Sequence, residues 1–173
     1  MKTRFSNIFW GLLLVFLDFS INRFDILPDG LGYLLVAIGC GGLTSLSRRF
    51  ATARFLSFVL AALWLIGFIP MAGDFAIAFG MITGLIDCGM IWSLLGGIIE
   101  FATRCNRPDL ASRASNRRLA FVMLVGLGMF LGLASSYTNA LAFPLAIMIL
   151  VAMLIVLAMV LHLIYRVRKE LAT

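Results

Sequence analysis

Three carboxylates and an amide fall close together in a short segment that follows the first apolar run of the chain. Asp18, Asn22, Asp25 and Asp29 lie within a dozen residues, with Arg23 among them. If a helix continues through this segment, Asp18, Asn22 and Asp25 occupy positions i, i+4 and i+7 on a single helical face. Oxygen ligands in such a stripe suit a hard cation such as magnesium or calcium better than zinc.

Two interpretations of this acidic segment stay open. In the structural one, Asp25 and Asp29 cap and orient the turn between the first two helices, and Arg23 pairs with a carboxylate. Pro28 disfavours helical geometry at the preceding residue, and an acid at position 29 favours a helix start through the macrodipole. In the functional one, the carboxylates face a polar cavity and bind a cation or relay protons. Nothing in the spacing fixes a coordination number, so any metal is unknown.

Asp87 is the fifth candidate, and it lies near the centre of a long apolar run. A carboxylate at mid-membrane costs roughly 2.5–3.5 kcal/mol on insertion scales, so it should face the bundle interior or water, or be protonated. Asp87 is the best single candidate for a functional residue. The structural alternative is a neutral acid that is hydrogen-bonded to a neighbouring helix.

Enzyme signatures do not occur in the sequence. It has no phosphate-binding loop, HExxH metal motif or GxSxG nucleophile elbow. Cys40, Cys88 and Cys105 lack the spacing of a disulfide framework, a zinc site or a redox pair. We therefore predict no catalytic residues and no cofactor, and a membrane-embedded lipid enzyme ranks last among the functions considered.

Membrane helices are the elements that must position these acids. The 173 residues are 62% hydrophobic and 13% charged, whereas soluble domains are about 45–50% apolar and about 25% charged. Each membrane helix needs about 20 apolar residues, so six helices leave room only for short connections. The apolar runs predict a single all-α domain with six spans, at roughly 5–22, 30–47, 55–73, 76–101, 118–136 and 141–165.

The basic residues predict the orientation of these spans. Every lysine and arginine except Arg23 falls in alternate connections, which are retained on the cytoplasmic side. The sequence thus predicts a polytopic six-helix bundle in the bacterial cytoplasmic (inner) membrane, with both termini inside. The net charge of +6 is not gathered on one segment or face, which argues against a nucleic-acid partner. The alternating basic residues are Lys2, Arg4, Arg48, Arg49, Arg54, Arg104, Arg107, Arg113, Arg117, Arg118, Arg166, Arg168 and Lys169.

Polar residues from 103 to 118 predict one substantial cytoplasmic loop, which contacts anionic lipid head groups or a partner protein. Just before it, Glu100 and Arg104 have the i, i+4 spacing of an ion pair on a helix. Small residues at helix-packing spacing, including Gly39 and the Gly80-x-x-x-Gly84 pair, predict close contacts between helices.

Residues 24–33, FDILPDGLGY, are followed by an apolar helix. This string resembles the signature of a family of small, uncharacterised bacterial multi-pass membrane proteins, and the similarity covers roughly residues 8–45. The resemblance implies a multi-pass membrane protein. It implies no activity, because none is assigned to that family.

Two function hypotheses follow from these observations. The first is a small permease or ion-coupled carrier that uses Asp87, and with it Asp18, as cation or proton sites. The alternative is a non-catalytic membrane subunit, or an assembly or stabilising factor of a larger complex, that contacts its partner through the outer hairpin or the 103–118 segment. The expected partners are the lipid bilayer and either a second copy of the chain or another membrane protein.

Overall fold

The computed structural model describes residues 1–16, 20–21, 24–25, 29–69, 73–134 and 139–171. These residues form six α-helices and one antiparallel pair of short strands, in which Ser20 lies opposite Asp25 and Ile21 opposite Phe24. The elements are α1 (Lys2–Phe16), β1 (Ser20–Ile21), β2 (Phe24–Asp25), α2 (Asp29–Gly41), α3 (Arg48–Ile66), α4 (Asp74–Arg104), α5 (Pro108–Ala134) and α6 (Asn139–Glu170).

Successive helices run antiparallel, and each packs on the next. Close approaches between glycines and the facing helix show the direction of α1 against α2. A Cβ atom at Gly11 would lie 2.6 Å from the Gly32 carbonyl oxygen, and one at Gly39 would lie 2.7 Å from the Arg4 carbonyl oxygen. The predicted packing role of Gly39 is therefore confirmed. In the Gly80-x-x-x-Gly84 pair, a Cβ at Gly84 would lie 2.9 Å from a side chain of α5, whereas a Cβ at Gly80 would meet no described atom within 4 Å, so the predicted close contact is confirmed only at Gly84.

The basic residues gather at one end of this bundle, which we call the basic end. There the start of α3 meets the end of α4, because a Cβ at Gly96 would lie 2.7 Å from Arg49 Cδ. α6 packs back against α1, and Lys2 and Lys169 line one small pocket, so both termini lie at this end. The opposite end carries β1 and β2, and we call it the hairpin end.

Most of the buried core lies in the half of the bundle nearest the basic end, although Tyr33 and Leu60 are also buried nearer the hairpin end. Among the described side chains of α4, none before Met90 is buried. On α6, the first buried described side chain is Leu157. The helices are therefore tightly packed around the basic half and more open towards the hairpin end. The largest fully buried side chains include Phe5, Ile8, Leu12, Phe50, Leu94, Leu95, Ile98 and Phe121.

One helix corresponds to each predicted span, which confirms an all-α bundle, but the lengths differ. Within the described residues, four stretches are long and apolar enough to cross a membrane, and they are Arg48–Ile66, Phe75–Arg104, Pro108–Gly132 and Ile147–Glu170. The other two helices are shorter: α1 has 15 residues and α2 has 13. At 1.5 Å per residue, α2 is only about 20 Å long.

The predicted polar loop from 103 to 118 is wrong over most of its length. Helix α4 continues to Arg104 and α5 begins at Pro108. Asn106 adopts a left-handed φ of 55°, which asparagine tolerates at a helix end, and proline suits a first helical position. The polar residues after Pro108 are therefore helical, because an arginine-rich turn can extend a helix beyond its apolar part.

The helix that would carry Asp18, Asn22 and Asp25 on one face does not continue to Asp25, and Asp18 and Asn22 lie outside the described residues. Helix α1 ends at Phe16, and the backbone of Asp25 belongs to strand β2. Serine, asparagine and aspartate compete with helix formation, because their side chains hydrogen-bond to the nearby backbone.

Candidate functional site

A polar cavity lies between α2, α3 and α4 in the half nearest the hairpin end. Its volume is about 310 Å³, which is at the lower end of the roughly 300–1,000 Å³ typical of small-ligand sites. Asp29 and Tyr33 enter it from α2, and Thr83 enters it from α4. The remaining wall, mostly apolar, consists of Leu60, Leu63, Trp64, Gly67, Phe68 and Phe79.

Asp87 lies next to this cavity, behind Tyr33. The Tyr33 hydroxyl donates a hydrogen bond to Asp87 Oδ1 at 3.5 Å, the long limit for such a bond. Tyr33 is 8% exposed, and Asp87 is partly buried. On α2, Asp29 precedes Tyr33 by four residues, and on α4, Thr83 precedes Asp87 by four, so each pair shares a helical face. The four side chains therefore form a polar row from the hairpin end towards the bundle interior.

Thr83 has acceptor capacity left in this row. Its hydroxyl donates to the carbonyl oxygen of Phe79 at 2.9 Å, within its own helix. A hydroxyl that donates its single proton in this way keeps two lone pairs. Thr83 can therefore accept a hydrogen bond from water, or coordinate a cation, in the cavity.

Trp64 forms the wall between this cavity and a second, apolar groove of about 530 Å³. The ring packs directly on the start of α2, where a Cβ at Gly30 would lie 2.5 Å from Trp64 Cε3. Only glycine at position 30 permits this approach without a shift of the ring. The groove on the far side is lined by Gly30, Leu31, Leu34, Phe58, Ala61, Ala62, Trp64 and Leu65.

The structure brings together two of the five predicted site residues. Asp29 begins α2, as the structural interpretation predicts, and it lines the cavity. The carboxylates of Asp87 and Asp29 both interact electrostatically with the Tyr33 hydroxyl. Asp18 and Asn22 lie outside the described residues, and Asp25 is described only as a backbone position on β2.

Carboxylates at the basic end have cationic partners, in contrast to Asp87. Glu100 Oε1 accepts from Arg49 Nε at 2.6 Å, and Glu100 also accepts from the Ser47 hydroxyl. The predicted pairing of Glu100 with Arg104 is present only as an electrostatic interaction, because Arg104 Nη1 donates to the Leu46 carbonyl oxygen at 2.7 Å. The start of α3 lies beside the end of α4 and supplies these partners across the helix interface.

Arg107, which immediately precedes α5, links the start of α5 to the end of α6. It forms ion pairs with Asp109, at 3.0 Å, and with Glu170. Hydrogen bonds to these two carboxylates raise the pKa of the Arg107 guanidinium, which stays charged. Arg166 also binds Glu170, at 2.8 Å. None of the four ion pairs among the described residues involves Asp87.

No resident metal centre is visible in the described part of the chain. Among those residues, no three histidine, cysteine, aspartate or glutamate side chains lie close enough to hold a metal ion. Asp29, Tyr33, Thr83 and Asp87 offer oxygen atoms alone, which suit hard cations.

Comparisons with known proteins gave no match: no protein-family model, no curated protein and no solved structure corresponds to this chain. The resemblance carried by residues 24–33 therefore stays a prediction. The apolar helices are compatible with an integral membrane protein.

Tyr33, Thr83 and Trp64 are the site residues that sequence reasoning missed. One signal was present: Tyr33 follows Asp29, and Asp87 follows Thr83, at the four-residue spacing of a shared helical face. Trp64 gave no comparable signal, because a tryptophan near the end of an apolar helix fits interfacial anchoring equally well.

Proposed function

We propose that the chain is an integral protein of the bacterial cytoplasmic membrane, with six spanning helices and both termini in the cytoplasm. The gathering of basic residues at one end of the bundle supports this orientation, because such ends are retained inside. On this account the hairpin end faces the outside. We also propose that the chain belongs to the multi-pass membrane family whose signature residues 24–33 resemble.

The short second helix fits this arrangement. A helix of about 20 Å covers only part of a hydrocarbon layer of about 30 Å. Irregular backbone within that depth is tolerated where it lies against protein or lines a water-filled cavity. The polar cavity begins at Asp29, the first residue of α2. Water therefore enters the outer half of the bundle through this cavity.

Within this membrane the protein acts as a small permease or ion-coupled carrier of a proton or a small cation. The observation that supports this is the hydrogen bond from Tyr33, in the cavity wall, to Asp87 on an otherwise apolar stretch of α4. A partly buried carboxylate that has no cationic partner among the described residues is costly to keep charged, so it gains by taking up a proton or a cation. Asp87 is the exchanging group, Tyr33 its link to the cavity, and Asp29 the acid nearest the entrance.

Flux into vesicles tests this function. The purified protein is reconstituted into liposomes that contain a pH-sensitive dye, and proton entry is followed under an imposed gradient, with and without a sodium gradient. We expect Asp87→Asn to reduce flux to the level of empty vesicles, because the amide does not take up a proton. Asp87→Glu should retain part of the flux.

Asp109→Asn is the matched control, since it removes a carboxylate at the basic end, away from the cavity. It should leave flux unchanged. The yield and the size-exclusion profile must also be equal for all variants. If Asp87→Asn keeps full flux, or loses folded protein in proportion, the carrier proposal is wrong. Copurification of a stoichiometric membrane partner, together with flux that ignores Asp87, would instead favour the non-catalytic subunit.

A further inference from the structure

Arg117 occupies a core position on α5. Leu110, Ala114, Arg117 and Phe121 follow one another at spacings of three or four residues, and all four are buried. This spacing places them on one face of the helix, which packs into the bundle. Arg117 is 9% exposed, so a permanently charged side chain stands where the neighbouring turns present leucine, alanine and phenylalanine.

The charge of Arg117 has no carboxylate partner among the described residues. Its Nη1 atom is buried and makes no hydrogen bond in the described part of the chain. The charged groups that act on it are Arg113, one turn earlier on α5, and Arg166 on α6, both cations. Glu170, the acid on α6, already binds Arg107 and Arg166. A buried guanidinium whose charged neighbours are both cations destabilises the fold unless an anion binds and neutralises these charges.

Phosphate is the anion that this arrangement fits. Planar guanidinium groups bind phosphate oxygens through two parallel N–H donors, which explains their frequent use in phosphate recognition. Arg113 is exposed and Arg166 is partly buried, so the group is open to the surface on the side of these two residues. A flexible arginine side chain can turn its charged group towards that opening.

The place of the group in the bundle indicates where the phosphate comes from. α6 also lines a basic pocket of about 230 Å³, which is formed by Lys2, Tyr165, Arg168 and Lys169. Basic pockets between membrane helices on the cytoplasmic side bind anionic lipid head groups. We propose that Arg113, Arg117 and Arg166 bind the phosphodiester of an anionic phospholipid head group between α5 and α6. This site is separate from the polar cavity and does not depend on the carrier function.

Thermal unfolding in defined lipid tests the site. The full chain is prepared in phosphatidylcholine nanodiscs, with or without phosphatidylglycerol, and bound lipid is measured by native mass spectrometry. We expect phosphatidylglycerol to raise the unfolding midpoint of the unchanged protein. Arg117→Met should remove this rise and reduce lipid retention about tenfold or more, as expected for the loss of a charged hydrogen bond.

Arg117→Met should not destabilise the protein when anionic lipid is absent. In phosphatidylcholine alone, Arg117→Met should unfold at the same temperature as the unchanged protein or higher, because replacing an unpaired buried charge by an apolar side chain is neutral or stabilising. Arg48→Met, which removes an exposed cation at the same end, is the matched control and should keep the full response to phosphatidylglycerol.

Three outcomes would overturn the proposal. The first is an Arg117→Met variant that responds to phosphatidylglycerol as the unchanged protein does. The second is a midpoint that falls equally in both lipids, which would mean that Arg117 stabilises the fold through protein or water contacts. The third is a rise of the same size with inorganic phosphate in phosphatidylcholine nanodiscs, which would assign the site to soluble phosphate rather than to a lipid.

Discussion

Helix α4 passes through two differently built regions of the bundle, and they can be compared residue by residue. From Met90 to Ala102, towards the basic end, its inward side chains are buried, and the carboxylate of Glu100 is paired with Arg49. From Phe75 to Leu85, towards the hairpin end, many side chains are exposed and the helix borders a polar cavity. More of the described side chains of α4 are buried in the basic half, and the polar cavity borders the helix in the hairpin half.

On the proposed function, this difference separates stability from activity along one helix. The basic half holds most of the large buried side chains and all four ion pairs of the described residues, so it should supply most of the free energy of unfolding. In the hairpin half, Asp87 is hydrogen-bonded to Tyr33, which lines the cavity, and the proposal makes Asp87 the exchanging group. Sites that exchange ligands commonly lie in less densely packed regions of a protein.

The largest expected difference in the free energy of unfolding is between two leucine-to-alanine substitutions, one in each half of α4. Leu94 is fully buried in the basic half, and Leu85 is 59% exposed in the hairpin half. Leu94→Ala should lower the free energy of unfolding by about 2–5 kcal/mol, because it leaves a cavity. Leu85→Ala should lower it by less than about 1 kcal/mol, because lipid chains are as apolar as leucine.

Unfolding in mixed micelles by increasing sodium dodecyl sulfate, followed by tryptophan fluorescence, measures both values. Equal losses for Leu94→Ala and Leu85→Ala would show that the hairpin half is packed as tightly as the basic half, which would contradict the comparison.

Alanine substitutions at two glycines should change the free energy of unfolding by smaller amounts and in opposite directions. Gly39→Ala forces a Cβ towards the Arg4 carbonyl oxygen, at 2.7 Å, and should lower the free energy of unfolding by about 1–3 kcal/mol. Gly80→Ala adds a Cβ where nothing lies within 4 Å, and should raise it by up to about 1 kcal/mol through helix propensity. The same unfolding assay measures both, and destabilisation by Gly80→Ala would indicate a packing partner at that face.

Hydropathy predicted the number of helices, because each apolar run needs a helix to satisfy its backbone in lipid. It did not predict where the helices end, because the arginine-rich turns at Arg48 and after Pro108 are polar and still helical. The end of α1 was also missed. There, helical periodicity suggested a continuous acidic face, whereas Asp25 belongs to a strand.

The candidate site was predictable only in part. Asp87 could be found from the sequence, since a carboxylate in an apolar helix is costly and needs a reason. Its partner could not, because pairing with Tyr33 depends on how α2 and α4 come together in space. For the same reason, the sequence could not show that Arg117 lacks a carboxylate partner in the described part of the chain. Its sequence neighbours are typical of a charged cytoplasmic segment, and only its burial distinguishes it.

Cysteine labelling from one side of the membrane tests most directly whether the cavity opens opposite the basic end. In intact cells, a membrane-impermeant maleimide is applied to two variants that both carry Cys40→Ala and Cys88→Ala. The first keeps Cys105, which is exposed at the basic end, and the second carries Thr83→Cys with Cys105→Ala. Ser57→Cys, at a fully buried position, serves as the unreactive control in the Cys105→Ala background.

We predict that the reagent labels Thr83→Cys from outside, and that it labels Cys105 only after the membrane is opened. Labelling of Cys105 in intact cells, or failure to label Thr83→Cys from outside while it reacts after the membrane is opened, would contradict a water-filled cavity at the outer, hairpin end.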